Sequence, residues 1–161
     1  MSKILISITI SLFLITTALA RAGDIERPCE VKDLIGSWEL LTAKYQGVVP
    51  DDYQDLLLPF QIRVYKKDGT FLQMTSNTEL TNDQVSNLLT IPQEQTYKVE
   101  NGTITTLNSE SKILERYSCS YFINDVPKIN IKRGTLSLLW LRQGKPLILN
   151  TYRKITSTTK R

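Results

Sequence analysis

The sequence contains no histidine, and this absence limits what its other polar side chains can do. Serine and cysteine nucleophiles normally need histidine as a base, and imidazole is a common ligand of zinc, copper and haem iron. Asp51 and Asp52 are adjacent, so on an extended strand their carboxylates would point apart, whereas paired-carboxylate catalysis needs them to face each other. Cys119 could be a reactive thiol only in the reduced state. We therefore expect no enzyme activity, no catalytic residue, no metal and no cofactor.

Two arginines in strand-like segments are candidate ligand-binding residues. Arg63 lies in an alternating segment, and Arg116 is followed at intervals of two by Ser118 and Ser120. Residues spaced by two share one face of a strand, and a buried arginine needs an anionic or hydrogen-bonding partner. If these faces point inward, either arginine would hold a carboxylate or a phosphate. If they point outward, both arginines are solvated.

Four apolar residues are candidates for the walls of a ligand site. Leu56, Leu57 and Phe60 belong to a long connection, residues 47–60, and a loop this apolar must be covered by something. It would form a lid over an apolar pocket, pack against a rim, or contact a partner. Trp140 lies in a segment that is apolar on both faces, so it would line a cavity or pack in the core.

The first 20 residues have the pattern of a secretory signal peptide. Lys3 precedes a short apolar run, and small residues end it, with cleavage predicted after Ala20 or Ala22. The run is shorter than the roughly 20 residues that a membrane-spanning helix needs. We therefore expect a periplasmic or secreted protein without a stable membrane span.

Export changes how the two cysteines are interpreted. In an oxidising compartment, Cys29 and Cys119 suggest one disulfide, and two separately buried thiols are the alternative. The net charge is +4, but the basic residues occur as scattered pairs such as Lys132-Arg133. A nucleic-acid site would need a longer basic stripe with stacking aromatic residues, so we expect no nucleic-acid partner.

Strands are the elements that must position these residues. Alternating apolar residues predict eight of them, at about 38–46, 61–66, 71–75, 96–100, 103–107, 115–124, 135–142 and 147–155. Asp68-Gly69 and Asn101-Gly102 predict tight hairpin turns. Residues 31–35 predict a helical turn and residues 81–90 a short helix, with Thr81 near its cap.

Short connections between eight strands favour an all-β, antiparallel, up-and-down barrel over residues 24–155. Closure of the barrel removes the strand edges that would otherwise invite aggregation. A β-sandwich is the alternative, although it normally requires Greek-key crossovers. Residues 156–161 are predicted to form a flexible tail.

Residues 34–40, with the sequence Leu-Ile-Gly-Ser-Trp-Glu-Leu, resemble the first strand of the lipocalin-like domain family, here a bacterial exported member. The family hallmark is Gly-x-Trp after a short helical turn, and Gly36 and Trp38 match it. Such domains often carry an arginine late on the last strand, which stacks over the tryptophan and closes one end of the barrel. Arg153 is the matching residue here. The resemblance covers residues 31–155 and implies an eight-stranded lipocalin-like barrel.

Two functions follow from this fold as expectations. The first is an exported binding protein that holds a small hydrophobic or amphiphilic molecule inside the barrel. The second is a protein-interaction module of the envelope, such as an inhibitor or assembly factor, whose barrel is filled by its own side chains. The space inside the barrel separates the two, because a carrier needs a pocket. The residues expected to bind the molecule are Arg63, Arg116, Leu56, Leu57, Phe60 and Trp140.

Overall fold

A computed structural model of the chain describes residues 24–45, 48–49, 51–92, 94–142 and 145–156. The predicted signal peptide, both predicted cleavage sites and residues 157–161 of the predicted tail lie outside these ranges. The described strands are β1 (Glu26–Pro28), β2 (Gly36–Tyr45), β3 (Phe60–Tyr65), β4 (Phe71–Ser76), β5 (Thr96–Glu100), β6 (Thr103–Leu107), β7 (Ile113–Phe122), β8 (Leu136–Arg142) and β9 (Lys145–Lys154). The described helices are α1 (Val31–Leu34), α2 (Asn82–Leu88) and two 3₁₀ helices, Asp51–Leu57 and Pro127–Ile129.

Eight strands form one antiparallel sheet in the order β4-β3-β2-β9-β8-β7-β6-β5. The sheet curls into a half-barrel, and its edge strands meet at a single bridge between Thr70 and Thr96. Two backbone hydrogen bonds support this seam, from Phe71 to Gln95 at 3.0 Å and from Tyr97 to Gly69 at 2.8 Å. The predicted all-β, eight-stranded, lipocalin-like architecture is confirmed. The β-sandwich alternative is wrong, because these eight strands belong to one sheet.

The predicted hairpin turns occur where glycine permits positive φ. Gly69 adopts a φ of 85°, and the Asp68 side chain accepts a hydrogen bond from the backbone N–H of Thr70 at 2.9 Å. Asn101 and Gly102 both adopt positive φ, at 49° and 71°, and connect β5 to β6. These tight turns fix the register of the strands on either side of them.

The short strand β1 forms an N-terminal arm that is not among the eight predicted strands. It pairs with β7, with Arg27 opposite Tyr121. Cys29 follows directly, and it forms a disulfide pair with Cys119, whose Cα lies 5.5 Å away. The predicted helical turn then appears as α1. The arm, the disulfide and α1 together bring the chain to the start of β2.

The helix α2 packs against the outer face of the sheet. Thr81 is its N-cap, with the side chain accepting a hydrogen bond from the N–H of Gln84 at 3.2 Å, as the sequence predicts. Leu88 joins outward residues of β3 and β4 in a small outer core. The main core lies on the inner face of the sheet. Within the described residues, no helix is long and apolar enough to cross a membrane.

Candidate functional site

Arg63 lies on the inner face of β3, in the interior of the barrel. Strand alternation places it between Gln61 and Tyr65, which point the same way, while Ile62 and Val64 point outward beneath α2. The exposed fraction of Arg63 is 0%. A fully buried guanidinium is rare, because removing its charge from water is costly unless partners replace the lost hydrogen bonds. The surroundings of Arg63 therefore define the candidate site.

The guanidinium of Arg63 is held among aromatic rings. Its Nη2 donates a hydrogen bond to the Tyr117 hydroxyl at 2.7 Å. Its Cζ lies 4.5 Å from the ring centroid of Tyr117, 5.5 Å from that of Tyr152 and 5.7 Å from that of Phe71. These distances are within the range of cation–π attraction. Nε and Nη1 have no hydrogen-bond partner within the described part of the chain.

Tyr117 connects Arg63 to a carboxylate. Its hydroxyl donates to Oε2 of Glu115, which is half-buried on the same face of β7. Burial raises the pKa of Tyr117 well above its ordinary value; Arg63 opposes this shift and Glu115 adds to it. The phenol therefore keeps its proton at neutral pH and can donate it to Glu115. Glu115 thus compensates the charge of Arg63 through one intervening hydroxyl.

The guanidinium stays charged in this environment. Burial on its own lowers the pKa of Arg63, but the nearby Tyr117, Tyr152, Tyr65 and Glu115 outweigh it, so the pKa lies above its ordinary value. Burial raises the pKa of Tyr65 to about 12, although the neighbouring Arg63 acts to lower it. The Tyr65 hydroxyl is therefore also protonated. Arg63 lies close enough to act on the pKa of Tyr65 as a hydrogen-bond donor, although no hydrogen bond of ordinary geometry joins the Tyr65 hydroxyl to any described residue.

We call Arg63, Tyr65, Thr106, Glu115 and Tyr117 the Arg63 cluster. Thr106 belongs to it because it lies opposite Glu115 in the β6–β7 register, and its hydroxyl is another buried group without a partner in the described structure. The cluster therefore presents N–H and O–H donors that protein groups leave unused. Buried polar groups in folded proteins are nearly always hydrogen-bonded, so unused donors indicate a place for a bound molecule or water.

A second buried network fixes the first connection over the barrel interior. The side-chain amide of Gln61 donates to the backbone carbonyls of Leu56, at 2.7 Å, and Leu58, at 3.0 Å. Tyr152 in turn donates to Oε1 of Gln61 at 2.9 Å, and Asn150 donates to the Tyr152 hydroxyl at 3.2 Å. Gln61 and Arg63 share one face of β3, so this network holds the 3₁₀ helix next to the Arg63 cluster.

The apolar candidates occupy three different positions. Leu56 is buried, with 3% of its surface exposed, in the main core. Leu57 is partly buried against that core, while Phe60 opens β3 and lines a groove on the outer side. Trp140 is buried on the inner face of β8, opposite Tyr117. The structure thus brings Leu56 and Trp140 into the interior with Arg63 and leaves Phe60 apart.

The prediction that Arg116 belongs to the interior is wrong. Arg116 is exposed, and it lies opposite Thr105 on the outer face of the sheet. The reason is strand alternation, because Tyr117 and Cys119 take the inward positions of β7, where they are 1% and 2% exposed. Ser118, which shares a strand face with Arg116, is exposed as well.

The prediction that Arg153 stacks over Trp38 is also wrong. Arg153 is exposed and pairs with Glu39, its Nε lying 2.5 Å from the carboxylate. Lys154 takes the predicted place, with Nζ 5.6 Å from the centroid of the Trp38 ring. The β2–β9 register sets Trp38 opposite Lys154, so the next residue back along β9 must face outward. Gly36 makes room for this arrangement, since a Cβ there would lie 2.7 Å from Cε of Lys154.

Large side chains occupy much of the barrel interior. They include Trp38, Tyr65, Phe71, Tyr97, Tyr117, Trp140 and Tyr152. Two adjoining grooves, of about 590 and 300 Å³, lie instead on the outer face near the approach to α2. Both are lined by Ile62 and Leu80 and by the charged residues Glu39, Glu79 and Arg153. These grooves lie outside the barrel, so they do not supply the interior pocket that a carrier needs. A ligand at Arg63 would have to displace side chains of the interior.

Sequence reasoning missed Tyr65, Thr106, Glu115 and Tyr117 as members of the site. The inward face of β7 could have been predicted from Cys119, because a cysteine in a disulfide is usually buried. Tyr117 and Glu115 are spaced by two and by four from Cys119, so they lie on the same face of the strand. For Tyr65 the signal was its spacing of two from Arg63. Within the described ranges, no group of three or more cysteine, aspartate or glutamate residues is arranged to hold a metal ion.

Comparison with known proteins gives no family for the chain. No model of a known protein family matches the sequence, and a search of curated proteins finds no significant relative.

Proposed function

We propose that the chain is an exported binding protein that holds a small hydrophobic or amphiphilic molecule inside its barrel, with the polar end of that molecule at Arg63. One observation carries the proposal: Arg63 is fully buried, yet Nε and Nη1 have no partner within the described structure. An unsatisfied buried donor costs about 1–3 kcal/mol, and more when the group is charged. A bound molecule with acceptor atoms would remove that cost.

The neighbours of Arg63 suit an apolar body on such a molecule. Phe71 and Trp140 lie on the inner face and belong to the main core, together with Leu56 from the first connection. Apolar contact of this kind contributes about 25 cal/mol for each Å² removed from water. In this proposal, the network of Gln61, Tyr152 and Asn150 holds the 3₁₀ helix as a lid, and the molecule enters when that network opens.

The proposed location is periplasmic or secreted. The pairing of Cys29 with Cys119 supports an oxidising compartment, where disulfides persist. The predicted signal peptide in residues 1–20 points the same way.

The test is a titration with two eight-carbon probes, octanoate and octan-1-ol, followed by fluorescence in a Trp38→Phe background, so that Trp140 is the remaining tryptophan. We expect a saturable change in emission, with micromolar affinity for at least one probe. Arg63→Met should weaken binding of octanoate at least tenfold. Arg116→Met is the matched control on the outer face and should leave it unchanged.

The proposal fails if neither probe gives a saturable signal while the near-ultraviolet circular dichroism shows an intact fold. It also fails if Arg63→Met and Arg116→Met weaken binding equally, because the interior site would then have no special role.

A second candidate function is a protein-interaction module with a filled barrel. The observation that favours it is the set of large aromatic side chains in the interior, because a filled barrel leaves surface recesses, such as the outer grooves near Leu80, to contact a partner. Substitution of Leu80 by serine would then abolish capture of a partner, while Arg63→Met would not. The Leu56–Phe60 segment is a poor contact surface for this function, because Leu56 is buried.

A further inference from the structure

A further groove, of about 390 Å³, lies at the surface between the end of β9 and the loop that joins β7 to β8. Arg153 and Lys154 line it from β9, and Lys132 and Arg133 line it from the loop. Among its described lining residues none is acidic. We call it the basic groove. Several cations around one concave surface create a positive potential that attracts an anionic partner.

Two carboxylates beside the basic groove neutralise only part of its charge. A carboxylate oxygen of Glu39 lies 2.5 Å from Nε of Arg153, and one of Asp125 lies 3.4 Å from Nζ of Lys132. Four cations therefore face two carboxylates, and positive charge remains in excess. Ion pairs at the surface are weak and are screened by salt, so a partner with dense negative charge can compete for these cations.

An exposed apolar side chain lies beside the basic groove. Ile129 is 61% exposed at the end of the 3₁₀ helix Pro127–Ile129, and the next residue, Asn130, lines the groove. A bridge between Val126 and Ile131 closes the base of this turn, with the N–H of Val126 donating to the carbonyl of Ile131 at 2.7 Å. The turn therefore presents Ile129 in an ordered position next to the cations.

We propose that the basic groove and Ile129 form a docking surface for a membrane that contains anionic phospholipids. The cations contact lipid phosphates, while Ile129 and Leu41, which is 42% exposed in the groove, enter the apolar boundary beneath the head groups. Nucleic acid fits this surface less well, because single strands stack on aromatic rings and Tyr121 of the groove lining is half-buried. The surface is separate from the Arg63 cluster, so docking here does not depend on the proposed function.

Co-sedimentation of the purified protein with lipid vesicles tests this surface. One set of vesicles contains phosphatidylcholine alone, and the other contains equal parts of phosphatidylcholine and phosphatidylglycerol. We expect binding to the anionic vesicles to be at least about tenfold tighter, with the difference shrinking as sodium chloride is raised. Inorganic phosphate, matched in ionic strength to the sodium chloride, should release no more protein than chloride does.

Charge variants locate the binding in the basic groove. The double variant Lys132→Gln, Arg133→Gln should weaken binding to the anionic vesicles by about fivefold for each charge removed. The double variant Lys98→Gln, Arg116→Gln is the matched control, because it removes the same charge from exposed positions of β5 and β7 that do not line the groove. The control should change the affinity for anionic vesicles far less.

A second pair of variants tests the apolar part of the surface. Ile129→Ser should weaken binding severalfold at high salt, where screening of the charges leaves apolar contact as the main attraction. Ile113→Ser is the matched control, because Ile113 is 50% exposed at the other end of β7 from the loop. It should leave the affinity for vesicles unchanged.

The proposal is overturned if the folded protein binds neither set of vesicles, if it binds both equally, or if the two double variants lose equal affinity. Release by inorganic phosphate beyond that by chloride would assign the groove to a free anion, and equally tight binding of a single-stranded oligonucleotide would assign it to nucleic acid. Either result also overturns membrane docking. Lys132→Gln, Arg133→Gln should keep the wild-type response to octanoate, so failure of docking and failure of the interior site are separate results.

Discussion

At the residue scale, the closed end of the barrel depends on Trp38 more than on the arginine that the sequence suggested. Trp38 is 0% exposed, and its Nε1 donates to the carbonyl of Leu34 at 2.6 Å. Lys154 covers its ring, while Arg153 points outward and pairs with Glu39. The two basic residues at the end of β9 are adjacent, so one position in register decides which of them reaches the tryptophan.

This difference gives a first prediction. Trp38→Ala should lower the free energy of unfolding by about 3–5 kcal/mol, because it leaves a large cavity and removes a buried hydrogen bond. Arg153→Ala should lower it by less than about 1 kcal/mol, because it breaks only an exposed ion pair. Urea denaturation of both variants measures the two values. A loss below about 1 kcal/mol for Trp38→Ala would contradict its role in the core.

A second prediction at this scale concerns the pH dependence of stability. Asp33 in α1 accepts two hydrogen bonds from Arg27, at 2.7 and 2.8 Å, and one from the N–H of Glu30 at 2.8 Å. Burial acts to raise the pKa of Asp33, but these hydrogen bonds outweigh it and lower the pKa below its ordinary value. Because the folded-state pKa is the lower one, Asp33 stabilises the fold above the unfolded pKa, near 3.9. That contribution is lost as the pH falls through the folded-state pKa.

We therefore expect Asp33→Asn to cost about 1–2 kcal/mol at pH 7, since Arg27 is partly exposed and the ion pair is screened. The gap between wild type and variant should close as the pH is lowered below about 4. Urea melts at pH 7, 5 and 3 test this. A gap that stays constant across that range would show that Asp33 acts through packing and not through its charge.

At the element scale, the 3₁₀ helix Asp51–Leu57 is held by side chains from two strands. Gln61 of β3 donates to the carbonyl of Leu56, within this helix, and to that of Leu58, just after it. Tyr152 of β9 donates in turn to the side chain of Gln61. Short 3₁₀ segments have poor internal hydrogen bonds. The position of this helix over the interior therefore depends on the network beneath it more than on its own backbone.

The third prediction follows from that dependence. Gln61→Leu should lower the free energy of unfolding by about 2–3 kcal/mol, because the Leu58 carbonyl loses its donor Gln61 and the Tyr152 O–H loses its acceptor. The Leu56 carbonyl keeps only the longer hydrogen bond from Asn150, at 3.4 Å. Hydrogen exchange should quicken across residues 51–58 and stay unchanged in β7 and β8. Gln54→Ala is the control, since Gln54 donates one hydrogen bond to Val49 from an exposed position of the same helix. If hydrogen exchange across residues 51–58 quickens equally in both variants, the Gln61 network does not hold the 3₁₀ helix in place.

The elements show which features the sequence could predict. Strand positions follow from period-two alternation and from Asp68-Gly69 and Asn101-Gly102, because these signals are local. The α2 cap at Thr81 is local too. Inward and outward faces are harder, since Arg116 and Tyr117 lie in a strand that is mixed on both faces. Deciding between them requires knowledge of β6 and β8, the neighbours that supply Thr106 and Trp140.

The candidate site was predictable only in part for the same reason. Arg63 was a candidate because a buried arginine needs an anionic or hydrogen-bonding partner. The residues that make it a site come from β3 and from β6 and β7, far apart along the chain, and their meeting depends on curvature of the whole sheet. The hydrogen bonds from Gln61 go to the backbone carbonyls of Leu56 and Leu58. Every residue has such a carbonyl, so the amino-acid sequence does not indicate these bonds.

At the scale of the whole molecule, a single bridge joins the edge strands of the sheet, and the Cys29–Cys119 disulfide, called the clamp below, cross-links the N-terminal arm to β7. The edge strands β4 and β5 meet at the Thr70–Thr96 bridge. The strand β1 lies outside the order of the eight strands and is attached to the sheet through its pairing with β7. The Cys29–Cys119 disulfide also attaches it, and the two cysteines are 90 residues apart in sequence. That span encloses β2 to β6, including Arg63 and the first connection. The clamp therefore limits how far the unfolded chain can separate these elements.

The last prediction concerns the loss of this clamp. A cross-link over 90 residues is expected to contribute about 4–5 kcal/mol by restricting the unfolded chain. The double variant Cys29→Ala, Cys119→Ala should lose about that amount in urea melts, and reduction of the wild-type protein should have a similar effect. Intact mass after alkylation, with and without reductant, establishes the starting state. Arg27→Gln is the comparison, because it weakens the attachment of β1 to α1 without breaking a covalent bond.

The stability of the double variant and its affinity for octanoate together show whether the disulfide affects the interior site. If the bond acts through the unfolded chain, the alanine double variant should be less stable and yet bind octanoate with unchanged affinity, because no contact of the Arg63 cluster is removed. If binding weakens along with stability, the clamp also shapes the folded interior through Cys119, which lies on the same face of β7 as Tyr117. Alkylation of both cysteines before any reductant is added would show that the disulfide is absent from the purified protein. The N-terminal arm would then be attached to β7 only by the β1–β7 pairing and by the backbone hydrogen bond from Cys29 to Cys119 at 3.1 Å.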